Sequence, residues 1–237
     1  IVTMVYILIS LMMTVQNVFK LLTLSLLVLG STTALSAEPP VLILGIQTPP
    51  TTFDPQAGRT ASDHFLIRFL HRGLLKYDSR GKTICDLCDS FSWSKNQKSL
   101  TLKLAKAQWA DGRALSPQDI LKAFANIPKQ SQKDLVDAFK IIGKISVREN
   151  NTLEFELKKP AAHFTHLLTL PITFPNRMDE KVYSGPYVLT AQEPNRIVIE
   201  GNPHFEKLRP VFRVEFLFPG PEMPMERLLG KFLTGKM

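Results

Sequence analysis

Residues 107–124 read AQWADGRALSPQDILKAF, and the layout of the chain can be worked outward from how this stretch divides. Asp111-Gly112 marks a turn, because Gly adopts backbone conformations closed to other residues and Asp bonds its own backbone two residues on. Ser116, Pro117 and Asp119 then spell a helix start. Ser is a favoured cap, Pro suits the first helical position, and an acid three residues after the Ser answers the cap. Ile120, Leu121 and Phe124 follow at helical spacing and predict the buried face, with Pro128 closing the helix. Trp109, just ahead of the turn, reads as a core anchor. Asp111 reads as a turn residue rather than a catalytic acid.

On the N-terminal side, SLTLKL (99–104) alternates, so Leu100, Leu102 and Leu104 share one face of a strand. Further back, VLILGIQ (41–47) is an apolar run suited to a buried strand. A Pro-rich loop, TPPTTFDPQ (48–56), follows it. ASDHFLIRFLHRGLLKYD (61–78) has helical spacing, with Phe65, Leu66, Phe69, Leu70 and Leu74 on one face and Ser62 or Asp63 as cap. YDSRGK (77–82) is a turn. On the C-terminal side, SQKDLVDAFKII (131–142) predicts a second helix capped by Ser131 and Asp134. KISVRENNTLEFELKKP (144–160) predicts two strands around an Asn-rich turn, with Leu153, Phe155 and Leu157 on one face. AAHFTHLLTL (161–170) predicts a short helix stopped by Pro171. GPYVLTAQEPNRIVIEGNP (185–203) reads as a second hairpin, FRVEFLF (212–218) as a strand and MERLLGKFL (225–233) as a short amphipathic helix. Strands and helices mix without strict alternation, which is an α/β or α+β arrangement.

Residues 18–37, VFKLLTLSLLVLGSTTALSA, have one positive residue, Lys20, then a short apolar core and an Ala-Leu-Ser-Ala end. This predicts a signal peptide over 1–37, cleaved before Glu38, with a core too short to span a bilayer. The remaining ~200 residues suffice for one domain or two small ones. Net charge is +8, from 29 Lys+Arg against 21 Asp+Glu. The cations are spread along the chain, without the clustered, aromatic-interleaved patch of a nucleic-acid binder. Attraction to anionic ligands or acidic surfaces stays open.

Catalytic motifs are missing from the sequence: there is no nucleophile elbow, P-loop or dinucleotide fingerprint. His163 and His166 sit three apart and share a helix face, but no third metal ligand is placed beside them. Cys85 and Cys88, in TICDLCDS (83–90), are the only cysteines. A second pair, as zinc would need, is lacking. Asp86 and Asp89 disfavour a reactive thiolate, and an oxidising compartment favours either a mutual disulfide or two buried small residues.

The order of these pieces resembles the extracellular solute-binding proteins of the oligopeptide/dipeptide class, the partners of ABC importers. TTFDPQ looks like the class's L-D-P start, and FLHRGLLKYDSRG its E-G-L-x-x-x-D-x-x-G segment. AQWADGRALSPQDILKAF is close to W-S-D-G-x-P-x-T-A-x-D-F/V. NTLEFELKKPAAHFTHLL, SGPYVLTAQEPNRIVIEGNPHF and LLGKFLTGKM match later segments in order, from Phe53 to Met237. CDLCDSFSW is similar to P-x-L-A-x-S-W, with Cys85 on the Pro, Leu87 on the Leu and Cys88 on the Ala. On that comparison Cys85 and Cys88 are a packing or disulfide feature.

The resemblance implies a type II periplasmic-binding-protein fold, α/β with a mixed sheet and flanking helices. Residues 38–237 would form its first lobe only, 62–179 an inserted subdomain, and the second lobe would be absent, as in a truncated form. It implies a peptide or related small solute as ligand, an ABC permease of the inner membrane as partner, and a periplasmic or secreted location. It implies no cofactor, metal, nucleic acid or catalytic residue. By position the ligand-lining stretch falls on Arg59, Thr60 and Ala61, with Arg59 where the peptide binders carry an acid. The segment between Asn126 and Asp137 is shorter than in those binders, and the Trp of N-P-x-Y-W is missing from Asn202-Pro203-His204-Phe205-Glu206. Two other readings stand beside binding: a remnant or partner-dependent envelope module, and a thiol redox protein acting through Cys85 and Cys88.

Overall fold

The computed structural model describes residues 41–205 and 213–220, with single positions 224, 226, 227 and 230 beyond them. The expected signal peptide (1–37) and nearly all of the expected helix at 225–233 lie outside the described residues.

Two four-stranded sheets are built around separate cores. The first is antiparallel, in the order β4-β5-β7-β6, from β4 (Cys88–Trp93), β5 (Ser99–Leu104), β6 (Ile142–Arg148) and β7 (Thr152–Leu157). Alternation decides its inner face: Leu100, Leu102 and Leu104 of β5 and Leu153, Phe155 and Leu157 of β7 are all buried. The turn between β6 and β7 puts Asn150 and Asn151 both at φ 56°, the left-handed region that Asn tolerates and a tight hairpin requires.

The helix expected from Ser116 is α2 (Pro117–Asn126). It lays Ile120 and Phe124 onto this sheet, where Phe124 meets Phe155 edge-on at 5.2 Å and Phe155 meets Phe164 at 5.4 Å. Truncating a ring so placed costs about 3–5 kcal/mol. A second helix, α3 (Lys133–Phe139), buries Phe139 in the same core. It starts at Lys133 with no side-chain cap, so Ser131 does not cap it as expected. The helix expected over 161–170 shortens to one turn, α4 (Phe164–Leu167), followed by a 3-10 turn at Pro171–Thr173.

The other sheet is mixed, in the order β1-β10-β9-β8. β1 (Val41–Gly45) runs parallel to β10 (Arg213–Leu217), while β8 (Tyr187–Glu193) and β9 (Arg196–Gly201) form the expected hairpin. Its core joins Ile197, Ile199, Val214 and Phe216 to Leu66 and Leu70 of α1 (Ala61–Leu70).

Two expectations fail here. β1 is not buried: it pairs with β10 alone, and Val41 and Leu42 are 45% and 43% exposed. An apolar run shows neither its neighbours nor its place at an edge. α1 also stops at Leu70, short of Tyr77. His71 is extended (φ −131°), and a Cβ on Gly73 would stand 2.4 Å from the ring of Phe174. The chain then leaves as β2 (Leu75–Tyr77), paired with β3 (Thr83–Cys85) across the 78–82 turn. Buried Leu66, Ile67 and Leu70 are the helix's inner face, and Phe65 is 45% exposed.

Candidate functional site

The Pro-rich loop after β1 folds back over the start of α1, and one carboxylate organises it. Asp63 is fully buried. Its Oδ1 accepts from the amides of Thr51 (2.6 Å) and Thr52 (3.3 Å). Its Oδ2 accepts from the amides of Arg59 (2.9 Å) and Thr60 (2.8 Å). Burial pushes the Asp63 carboxyl up, but the backbone donors at Arg59, Thr60 and Thr51 outweigh it and hold the group well below the carboxylate range. The expected cap at Ser62 or Asp63 is corrected: Thr60 is the cap residue, its hydroxyl accepting from the Asp63 amide at 3.0 Å. Asp63 fills the third helical position and completes a capping box. The pattern T-x-x-D at 60–63 is the sequence signal for this cap.

Arg59, Thr60 and Ala61 are thus brought together on the turn entering α1. Thr60 is occupied by Asp63 through both hydroxyl and amide. Ala61 is exposed. The Arg59 side chain crosses to the α2–α3 connection. Its Nη1 donates to the carbonyls of Gly58 (2.8 Å) and Gln56 (3.3 Å), and its Nη2 to the Ser131 hydroxyl at 2.9 Å. Gln132 Nε2 returns a bond to the Gly58 carbonyl at 3.1 Å. Gly58 allows the close approach, since a Cβ there would lie 2.8 Å from Ile67 Cδ1.

Underneath, Gln56 Nε2 donates to the Ala123 carbonyl (2.8 Å) and the Ile172 carbonyl (2.9 Å), both bonds buried. His71 lies below the same loop. Its Nε2–H donates to the Phe53 carbonyl at 3.1 Å, and burial lowers its pKa to about 4.

Between this loop and α3 opens a cavity of about 560 Å3. His64, Ser131, Lys133 and Asp134 give it polar groups, and Leu135 and Pro171 an apolar wall. None of these six was singled out by sequence as a site residue. Ser131 has the local pattern of a helix cap, and nothing local in the sequence joins it to Arg59.

The remaining candidates lie elsewhere. Cys85 and Cys88 form a disulfide, Cys85 closing β3 and Cys88 opening β4. A strand rather than a helix starts at Cys88, so the helix N-terminus that activates a thiol is not supplied there. Between them, Asp86 pairs with the buried Arg72 at 3.2 Å. His163 and His166 are exposed, and His166 Nδ1 meets the Tyr77 hydroxyl at 2.9 Å. Among the described residues no three metal-binding side chains converge. Trp109 is fully buried beneath the Arg177 guanidinium, and Asp111 pairs with Arg113 at the surface.

The profile of the bacterial extracellular solute-binding proteins, family 5 Middle, matches residues 82–224. Among solved structures, peptide-bound OppA from Listeria monocytogenes superposes with a TM-score of 0.74 at 18% identity, over 85% of this chain and 46% of that one. DppA from Helicobacter pylori, an ABC transporter-associated periplasmic binding protein with the peptide STSA, gives 0.74 at 16%, over 84% and 46%. The binding protein AgaA from A. tumefaciens R10, in complex with agropinic acid, gives 0.73 at 22%, over 84% and 43%. The fold is therefore that of a periplasmic binding protein, and the chain spans less than half the length of these structures.

Proposed function

The chain belongs to the bacterial extracellular solute-binding proteins, family 5, and on that premise we propose that it is the solute-binding component of an ABC-type importer, taking peptides or a related small solute. It works in the periplasm after export, delivers to a permease of the inner membrane, and makes or breaks no covalent bond. Arg59, Thr60 and Ala61 form part of the ligand wall. Residues 62–179 are an inserted part of the lobe, a division supported by the core that runs from Leu74 to Ile172.

The observation that carries this reading is the agreement over more than four-fifths of the chain with binding proteins, two of which hold a peptide. The Asp63-locked turn adds support, because a wall fixed before the ligand arrives keeps the ordering cost of binding small. A melting-point screen of the purified chain against a defined tripeptide mixture tests it. At a hundredfold excess over Kd a bound peptide should stabilise the fold by about 2.7 kcal/mol. A melting point unmoved by every tripeptide would sink peptide binding by this chain.

A further inference from the structure

We propose that the cavity beside Arg59 receives an anionic group, a carboxylate at one end of the solute; this rests on the solute-binding reading above. Three observations carry it. The first is how Arg59 is held. All three of its side-chain acceptors, the carbonyls of Gly58 and Gln56 and the Ser131 hydroxyl, are neutral. Asp63, which takes the Arg59 amide, turns its oxygens to backbone amides and is filled by them. Arg59 is thus a guanidinium fixed in place, with no carboxylate partner among the described residues. Two of its five N–H donors are left over, the number a carboxylate takes from an arginine fork.

The second is the lining. Arg59 bridges Gly58 and Ser131, both on the cavity wall, and Lys133 stands on that wall with no ion pair among the described residues. His64, also on the wall, has a buried Nδ1 without a hydrogen-bond partner. The opposing charge on the lining is Asp134. On the lining Lys133 and Asp134 offset one another, and Arg59, bonded to Gly58 and Ser131 beside it, is the surplus positive charge. The third is the apolar part of the lining: Leu135, Pro171 and Ile172 suit a short hydrocarbon body rather than a second charge.

Three probes separate this proposal from the reading it rests on: trialanine, trialanine amide and glutarate, titrated into the purified chain with NMR detection of the Arg59 Nε–H. Trialanine should bind about tenfold tighter than its amide, the loss of one charge-assisted hydrogen bond. Arg59→Gln should erase that preference, Arg59→Lys should keep part of it, and Asp134→Asn should tighten trialanine binding. Glutarate should shift the Arg59 signal on its own. If trialanine and its amide bind equally and Arg59 does not respond, the anion site is overturned while solute binding stands. A glutarate response at Arg59 with no binding of either peptide upholds the anion site and overturns the peptide reading. Silence at Arg59 with all three probes overturns the proposal outright.

Discussion

The starts of α1 and α2 use one motif to different ends. At α2, Ser116 donates from its amide (2.9 Å) and its hydroxyl (2.8 Å) to Asp119, and the arrangement closes within four residues. At α1, Thr60 and Asp63 stand in the same spacing. There the carboxylate also takes the amides of Thr51, Thr52 and Arg59, from a loop that begins before the helix. One acid starts a helix and does no more, and the other gathers a dozen residues of chain around itself. The lesson is that a capping pattern predicts where a helix begins and says nothing of what else its acid holds.

Asp63→Ala should break this contrast most sharply. It leaves four part-buried amides without their acceptor and should cost about 3–5 kcal/mol in urea unfolding. Between pH 4 and 6.5 the pH effect should come from His71, which serves the same loop through the Phe53 carbonyl. Its folded value of about 4 lies below the unfolded value of 6.5. As pH falls from 6.5 the unfolded chain takes up a proton that the fold resists. Stability is therefore complete above 6.5 and declines toward pH 4, by up to about 3 kcal/mol. A flat profile between those limits in the wild type, or the same slope in His71→Gln, would remove His71 from the account.

Replacing both Cys85 and Cys88 by Ser opens a very short loop and should cost about 2 kcal/mol by chain entropy, read by the same unfolding curves with free-thiol counting as the control. The smallest effect belongs to the local cap: Asp119→Ala should cost about 1 kcal/mol. A loss at Asp119 equal to that at Asp63 would abolish the distinction between the two helix starts.

What sequence revealed follows the range of the interactions. The strands at 99–104 and 152–157, the α2 start and the Asn150-Asn151 turn were legible, because each is decided by neighbours a few residues apart. The edge position of β1 was not, since its exposure depends on a pairing with Arg213–Leu217, far along the chain. The same holds for the site. Resemblance pointed to Arg59–Ala61, but the Ser131 hydroxyl that receives Arg59 lies 72 residues away. Ser131 carried a local signal, that of a helix cap, and the guanidinium took the hydroxyl instead. Asp134 carried the same local capping signal as Ser131, while His64 and Lys133 had no signal of their own, because a cavity wall has no periodicity.

Gln56 gives the wall a mechanical character. Its amide is sewn to two carbonyls, one on α2 at Ala123 and one on the turn at Ile172, both away from water. Lifting the loop would strand both oxygens in an apolar interior, a penalty of about 1–3 kcal/mol for each. The wall therefore moves as one piece with the antiparallel sheet beneath it. On the proposed solute-binding role, whatever closes over a solute would swing toward this surface, which acts as the anvil and not the hammer.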